Sequence, residues 1–132
     1  MNNQTIPSKL LVGAWELVSG SYVGEDHAVT NYTEAAIKSL KVLSEDKFSF
    51  ITTSQGTFYA AGGGDYTAEN GLYVETPALA SHPEMIQQRY EFQYQLDGDT
   101  WTNSRWQDGI RVEYEVWKRV HSHENQHPGT FS

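Results

Sequence analysis

Short turn sequences cut this chain into pieces of similar length, and between them the residues alternate in character. SED at 44–46, SQG at 54–56, ENG at 69–71, DGD at 97–99 and QDG at 107–109 recur about every 10–15 residues. A period of two belongs to strands, and no long stretch carries the helical period. The strands expected are Trp15–Val23, Ile37–Ser44, Lys47–Thr53, Thr57–Ala61, Asp65–Glu69, Leu72–Thr76, Gln88–Leu96, Thr100–Trp106 and Ile110–Val120. Regular short strands joined by tight turns predict an antiparallel meander, and closing it removes its edges. The expected fold is all-β: an antiparallel up-and-down β-barrel of roughly 8–10 short strands with one or two short helical turns.

Two stretches interrupt the alternation. NYTEAA at 31–36 fits a helical turn, and Ser81-His82-Pro83-Glu84 has the form of a capping box with Ser81 as N-cap. Gly62-Gly63-Gly64 is followed by strand-like Asp65-Tyr66-Thr67 rather than by a helix, so a bulge or bend is expected there and not a phosphate cradle.

Bulk properties narrow the function classes. The 132 residues fit one domain, read as an N-terminal extension at 1–9, a barrel at 10–120 and a polar tail at 121–132. With no cysteine there is no disulfide, thiolate metal site or thiol nucleophile. Seventeen acidic residues against nine basic ones give a net charge of -8, a field that repels phosphate backbones. No nucleic-acid partner is therefore expected. No apolar run approaches the roughly 20 residues of a membrane helix, so no membrane partner is expected. MNNQTIPSKLLVG lacks the basic start and apolar run of a secretory leader, and a cytoplasmic location is expected. His121, His123 and His127 form a loose HxHxxxH tail without a fixed carboxylate or thiolate, so a solvated or packing tail is preferred and no metal is assigned.

Gly13-Ala14-Trp15 opens the first strand, and EVWKRV closes the last. This pairing resembles the lipocalin and fatty-acid-binding (calycin) pattern. LVGAWELVSGSY, AGGGDYT and VWKRV, in that order, resemble small bacterial lipocalin-like proteins over residues 10–120. The resemblance implies a cavity, with Trp15 plugging the closed end and Arg119 packing near it. It implies no reaction, because such folds host unrelated activities.

Inward faces follow from alternation. Tyr90, Phe92, Tyr94 and Leu96 should face the interior, and Arg89, Glu91, Gln93 and Gln95 water. A two-residue turn at Asp97-Gly98 would pair Tyr94 with Trp101, Phe92 with Asn103 and Tyr90 with Arg105. The last strand has two readings. A two-residue turn at Asp108-Gly109 sets Arg105 opposite Val112 and turns Ile110, Val112, Tyr114 and Val116 inward. A three-residue loop at 107–109 turns Arg111, Glu113, Glu115, Trp117 and Arg119 inward instead. Patterning favours the first and the resemblance the second, which leaves Val112, Tyr114 and Val116 outside for a subunit interface to cover.

Four constellations bear on chemistry. Arg105 with Glu113 and Glu115 could clamp a ligand or move protons, or form plain cross-strand ion pairs. Glu75 beside Tyr66 and Tyr73 could be a general base, or a surface glutamate next to core tyrosines. His82 in a Pro-containing loop could shuttle protons at a barrel mouth, or be an ordinary loop histidine. The aromatic set Trp15, Tyr90, Phe92, Tyr94, Trp101, Trp106 and Trp117 combines core with pocket lining.

The expected function is binding of a small, largely apolar or aromatic molecule in the barrel. Tyr73, Tyr90, Phe92, Tyr94, Trp101, Asn103, Arg105 and Glu115 would form its lining. The alternative is a cofactor-free isomerase, lyase or cyclase in the same cavity, with Glu75, His82, Glu113 and Tyr66 as proton handlers. A barrel filled by its own side chains is the third reading. No cofactor is called for, a neutral ligand is preferred over an anion, and a homodimer is the expected assembly.

Overall fold

The computed structural model describes residues 9–121. Nine strands follow in order: β1 (Gly13–Val23), β2 (Val29–Asn31), β3 (Ile37–Leu43), β4 (Lys47–Ser54), β5 (Thr57–Glu69), β6 (Leu72–Ala80), β7 (Tyr90–Asp97), β8 (Thr100–Gln107) and β9 (Ile110–Val120). From β3 to β9 each strand pairs with the next, and β1 closes the sheet by pairing with both β3 and β9. The result is an antiparallel barrel of eight strands, with β2 as a short ninth along the far end of β1.

The turns explain why so short a chain can close. Gln55-Gly56, Asn70-Gly71 and Asp108-Gly109 each place both loop residues at positive φ: 53° and 82°, 55° and 80°, 52° and 80°. That is the type I′ backbone, whose twist matches the strands it joins. The fourth tight hairpin uses Gly98-Asp99, because Asp97 pairs with Thr100. The turn expected at Asp97-Gly98 is thus one residue early. Leu96 now faces Trp101 and Tyr94 faces Asn103. The register moves by two in the pair sum, so every side chain keeps its expected face. Tyr90 pairs with Glu75 on β6 rather than with Arg105.

Two other expectations change. Thr57–Ala61 and Asp65–Glu69 are one strand, carried through the glycines by a bulge against β6 between Gly63 and Gly64. Ser81 does not cap a helix. The 3₁₀ turn Pro83–Met85 has His82 at its N-cap position with no side-chain bond, while the Ser81 hydroxyl accepts the Ala61 amide at 2.9 Å. The turn expected at 31–36 is present in shorter form: Asn31 ends β2, residues 32–36 form turns, and the Ala35 amide bonds the Asn31 carbonyl four residues back.

The last strand combines both sequence readings. Asp108-Gly109 is a two-residue turn, with Gln107 opposite Ile110 and Trp106 opposite Arg111. Then Val112 is skipped, and Arg105 pairs with Glu113. The bulge moves the register by one. Beyond it Glu113, Glu115 and Trp117 face inward, as the second reading required. Arg111 is the exception. It is exposed and stacks on Tyr114, its guanidinium carbon 4.0 Å from the ring centre, while Val112 is buried. Trp106, expected among the interior aromatics, is exposed on the outer face.

One end of the barrel is packed solid. Trp15, Trp101 and Tyr73 are fully buried, with Leu11, Leu43, Phe48, Tyr66 and Ala68 around them. Trp15 meets Trp101 edge-on at 5.2 Å and donates its indole N–H to the Leu11 carbonyl at 2.9 Å. Arg119 lies on the Trp15 ring at 4.4 Å and donates to the carbonyls of Val12 and Leu10 and to Asp99. The guanidinium thus ties the incoming chain to the final strand. His121 bonds the same Asp99. The rest of the histidine tail lies outside the described residues.

Candidate functional site

Above the packed end the barrel opens into a cavity of 520 Å³. This is the size of a small-ligand pocket. Its walls come from inward positions of most strands: Leu17 on β1, Ser39 and Lys41 on β3, Phe50 and Thr52 on β4, Glu75 on β6, Tyr90 and Phe92 on β7, and Glu113, Glu115 and Trp117 on β9. Tyr22, Tyr32, Tyr59, His82, Glu84 and Met85 surround the mouth.

The floor carries a buried ion pair. Lys41 Nζ lies 2.5 Å from Glu75 Oε2, and the Tyr73 hydroxyl donates to the same oxygen at 2.6 Å. Lys41 and Glu75 are both almost fully buried. The ammonium also faces Trp117 at 4.8 Å, and Tyr73 and Trp101 at 5.6 Å each, within cation–π range. Burial pulls the Lys41 pKa down, but Glu75 and then Glu115 outweigh it and hold the amine charged. Burial, followed by Glu75, pushes the Tyr73 phenol well above its ordinary range. Lys41 is therefore a fixed cation and Tyr73 a fixed donor.

The wall above carries two more carboxylates. Arg105 Nε donates to Glu113 Oε1 at 2.6 Å. Glu115 Oε1 accepts from Trp117 Nε1 at 2.9 Å and from Asn103 Nδ2 at 3.2 Å. Burial and the neighbouring Glu115 push the Glu113 carboxyl up from its ordinary value, against the pull of Arg105. Burial first, then Glu115 and Glu113, raise the Tyr32 phenol too. Tyr32 is held over the mouth by its amide bond to the Gly20 carbonyl at 3.0 Å. A Cβ at Gly20 would stand 3.0 Å from the tyrosine ring and 2.1 Å from the Tyr114 carbonyl oxygen, so the close approach needs glycine.

The expected site residues separate by depth. Glu75, His82, Tyr90, Phe92, Glu113 and Glu115 line the cavity. Tyr73, Trp101 and Asn103 are fully buried and support the lining without forming it. Arg105 stands behind Glu113. Tyr94 packs against the core, and Tyr66 sits in the closed-end cluster with its hydroxyl bonded to the Ser44 carbonyl at 2.6 Å. Tyr66 pairs with Glu75 across β5 and β6 and its ring lies 5.5 Å from Tyr73, but of the two tyrosines it is Tyr73 whose hydroxyl donates to the glutamate while that of Tyr66 turns to Ser44. His82 is at the rim, its ring 5.9 Å from Tyr59. Lys41 and Tyr32 were not anticipated. A signal for Lys41 existed: Phe48 and Phe50 alternate inward on β4, and the short turn at 44–46 sets Leu43 opposite Phe48 and Lys41 opposite Phe50.

Residues 10–129 match a family model described as a domain of unknown function, DUF4488. The chain belongs to the DUF4488 family. The match spans all nine strands of the barrel, so the cavity and its ion pairs lie within the DUF4488 domain. A search of curated proteins found no match to the chain. Among the described residues of this DUF4488 protein, no helix is long and apolar enough to cross a membrane.

Proposed function

We propose that this barrel is a lipocalin-like container that binds a small, largely apolar or aromatic molecule. The observation that carries the reading is the 520 Å³ cavity, open at one end, with aromatic walls and a few fixed polar groups. Such a combination buries a ligand body while orienting it. The plug of Trp15 and Arg119 supports the lipocalin-like comparison. Ile37 is partly buried at the cavity wall and makes no side-chain hydrogen bond. Ile37→Trp narrows the space without removing a polar contact. Thermal-shift titrations with neutral apolar probes test the reading: wild type should respond and Ile37→Trp should not. A wild type that responds to no probe rejects it.

Glu113 favours a second reading, a cofactor-free isomerase, lyase or cyclase. A buried carboxyl with a raised pKa, held by Arg105, is suited to exchanging protons with a bound substrate. Under this reading Glu113→Gln abolishes turnover of a bound substrate while leaving its affinity in place. Loss of both together would speak for binding alone.

A homodimer remains our proposal for the assembly. Leu40, Val42, Ile51 and Leu79 are exposed on the outer face, where Leu40 pairs with Ile51. Sedimentation at the mass of a single chain would reject it.

A further inference from the structure

Resting on the binding reading, we propose that the ligand of this cavity is a cation: an ammonium or amidinium on a compact aromatic or aliphatic body, seated at Glu115. The interior charges are unevenly paired. Lys41 is matched by Glu75 and Arg105 by Glu113. Among the described residues, Glu115 has no cation within ion-pair distance. It is held by two neutral donors, Asn103 and Trp117, both on Oε1, and no donor among the described residues reaches Oε2. Both donors are buried, so the carboxylate is fixed rather than free to swing into water.

An ionised carboxylate in an apolar cavity is costly unless something compensates it. Its effect extends to four neighbours: Lys41, Tyr32, Tyr73 and Glu113 all have their pKa raised in part by Glu115. The rim adds Glu84 and no lysine or arginine, so the lining holds four carboxylates against Lys41 as its one permanent cation. An anionic ligand would add to this excess and a cationic one reduces it.

The second, independent observation is the aromatic wall. Tyr32, Tyr90 and Phe92 line the same cavity, while the Trp117 ring already faces the Lys41 ammonium. Aromatic faces beside a fixed carboxylate recognise ammonium groups. They also supply the apolar area that holds the body of the ligand.

Two matched probe series test the charge on the whole protein: tryptamine, tryptophol and indole-3-acetate, and octylamine, octanol and octanoate. Within each series the body is constant and only the head group changes. At least one amine should bind with a Kd about tenfold below that of its alcohol, with the acid weakest. Glu115→Gln should bring that amine and its alcohol within about twofold of each other. Glu16→Gln, at an exposed position of β1, should leave the preference intact. Alcohols or acids that bind as well as the amines overturn the cation inference and leave the container reading standing. If no member of either series binds and neutral apolar probes also fail, the container reading falls with it. The wild-type series is decisive even if Glu115→Gln does not fold.

Discussion

Lys41 is the residue around which the interior is arranged, and its cost is testable. Removing one partner of a buried pair leaves the other charge stranded, which typically costs about 3–5 kcal/mol. Lys41→Met should lose that much in urea unfolding, and Lys41→Met with Glu75→Gln should recover a large part of it. A single mutant as stable as wild type would mean that the pair is not buried in solution. Glu113 gives a pH signature. Its folded-state pKa lies above the ordinary 4.5. Its contribution is therefore fully present below 4.5 and lost as the pH rises through the raised value. Glu113→Gln cannot ionise, so it should gain on wild type as the pH climbs from 4.5 toward neutrality. A stability difference that stays flat over that range would remove Glu113 as the titrating group. Trp15, Arg119, Glu75, Glu113 and Glu115 could be singled out in the sequence because each belongs to a motif or an alternating face. Lys41 was harder to read, because IKSLKVL has apolar residues on both faces, and only pairing with the Phe48 and Phe50 face of β4 decides between them.

At the scale of elements, the hairpins were readable because their turn residues have few alternatives. Gly71 adopts φ +80°, a conformation that disfavours a Cβ by roughly 1–2 kcal/mol. Gly71→Ala should lose about that much by urea unfolding and leave the fold unchanged. Gly64 has a different constraint: a Cβ there would stand 2.2 Å from the Thr76 carbonyl oxygen. Gly64→Ala should cost more than Gly71→Ala, and the reverse order would contradict the close packing at the bulge. The bulge in β9 was not readable. Residues 110–120 are amphipathic in both registers, and the turn at Asp108-Gly109 taken alone points to the register that is not adopted beyond Arg105. The outcome depends on the Arg105–Glu113 pair and on Trp117 reaching the aromatic floor, which are contacts between strands. The face of Glu113 and Glu115 was therefore open until both strands were placed.

For the whole molecule, closure and the cavity are separate results. The alternation and turns made a closed antiparallel barrel legible, but side-chain volumes along its axis decide how much of it is hollow. A ligand that occupies only the folded form stabilises it by mass action, by about 2.7 kcal/mol at a hundred times its Kd. A bound probe should therefore raise the unfolding midpoint in step with its concentration, and a midpoint that saturates early would indicate binding to the unfolded chain as well. The sealed end has a kinetic consequence. With Trp15 and Arg119 across one end, the way in is also the way out, and an occupant must leave before a successor can enter. Departure should then proceed at a rate that does not depend on how much competitor is waiting outside. Under the container reading such a vessel can store or shield a ligand, but it cannot work as a conduit.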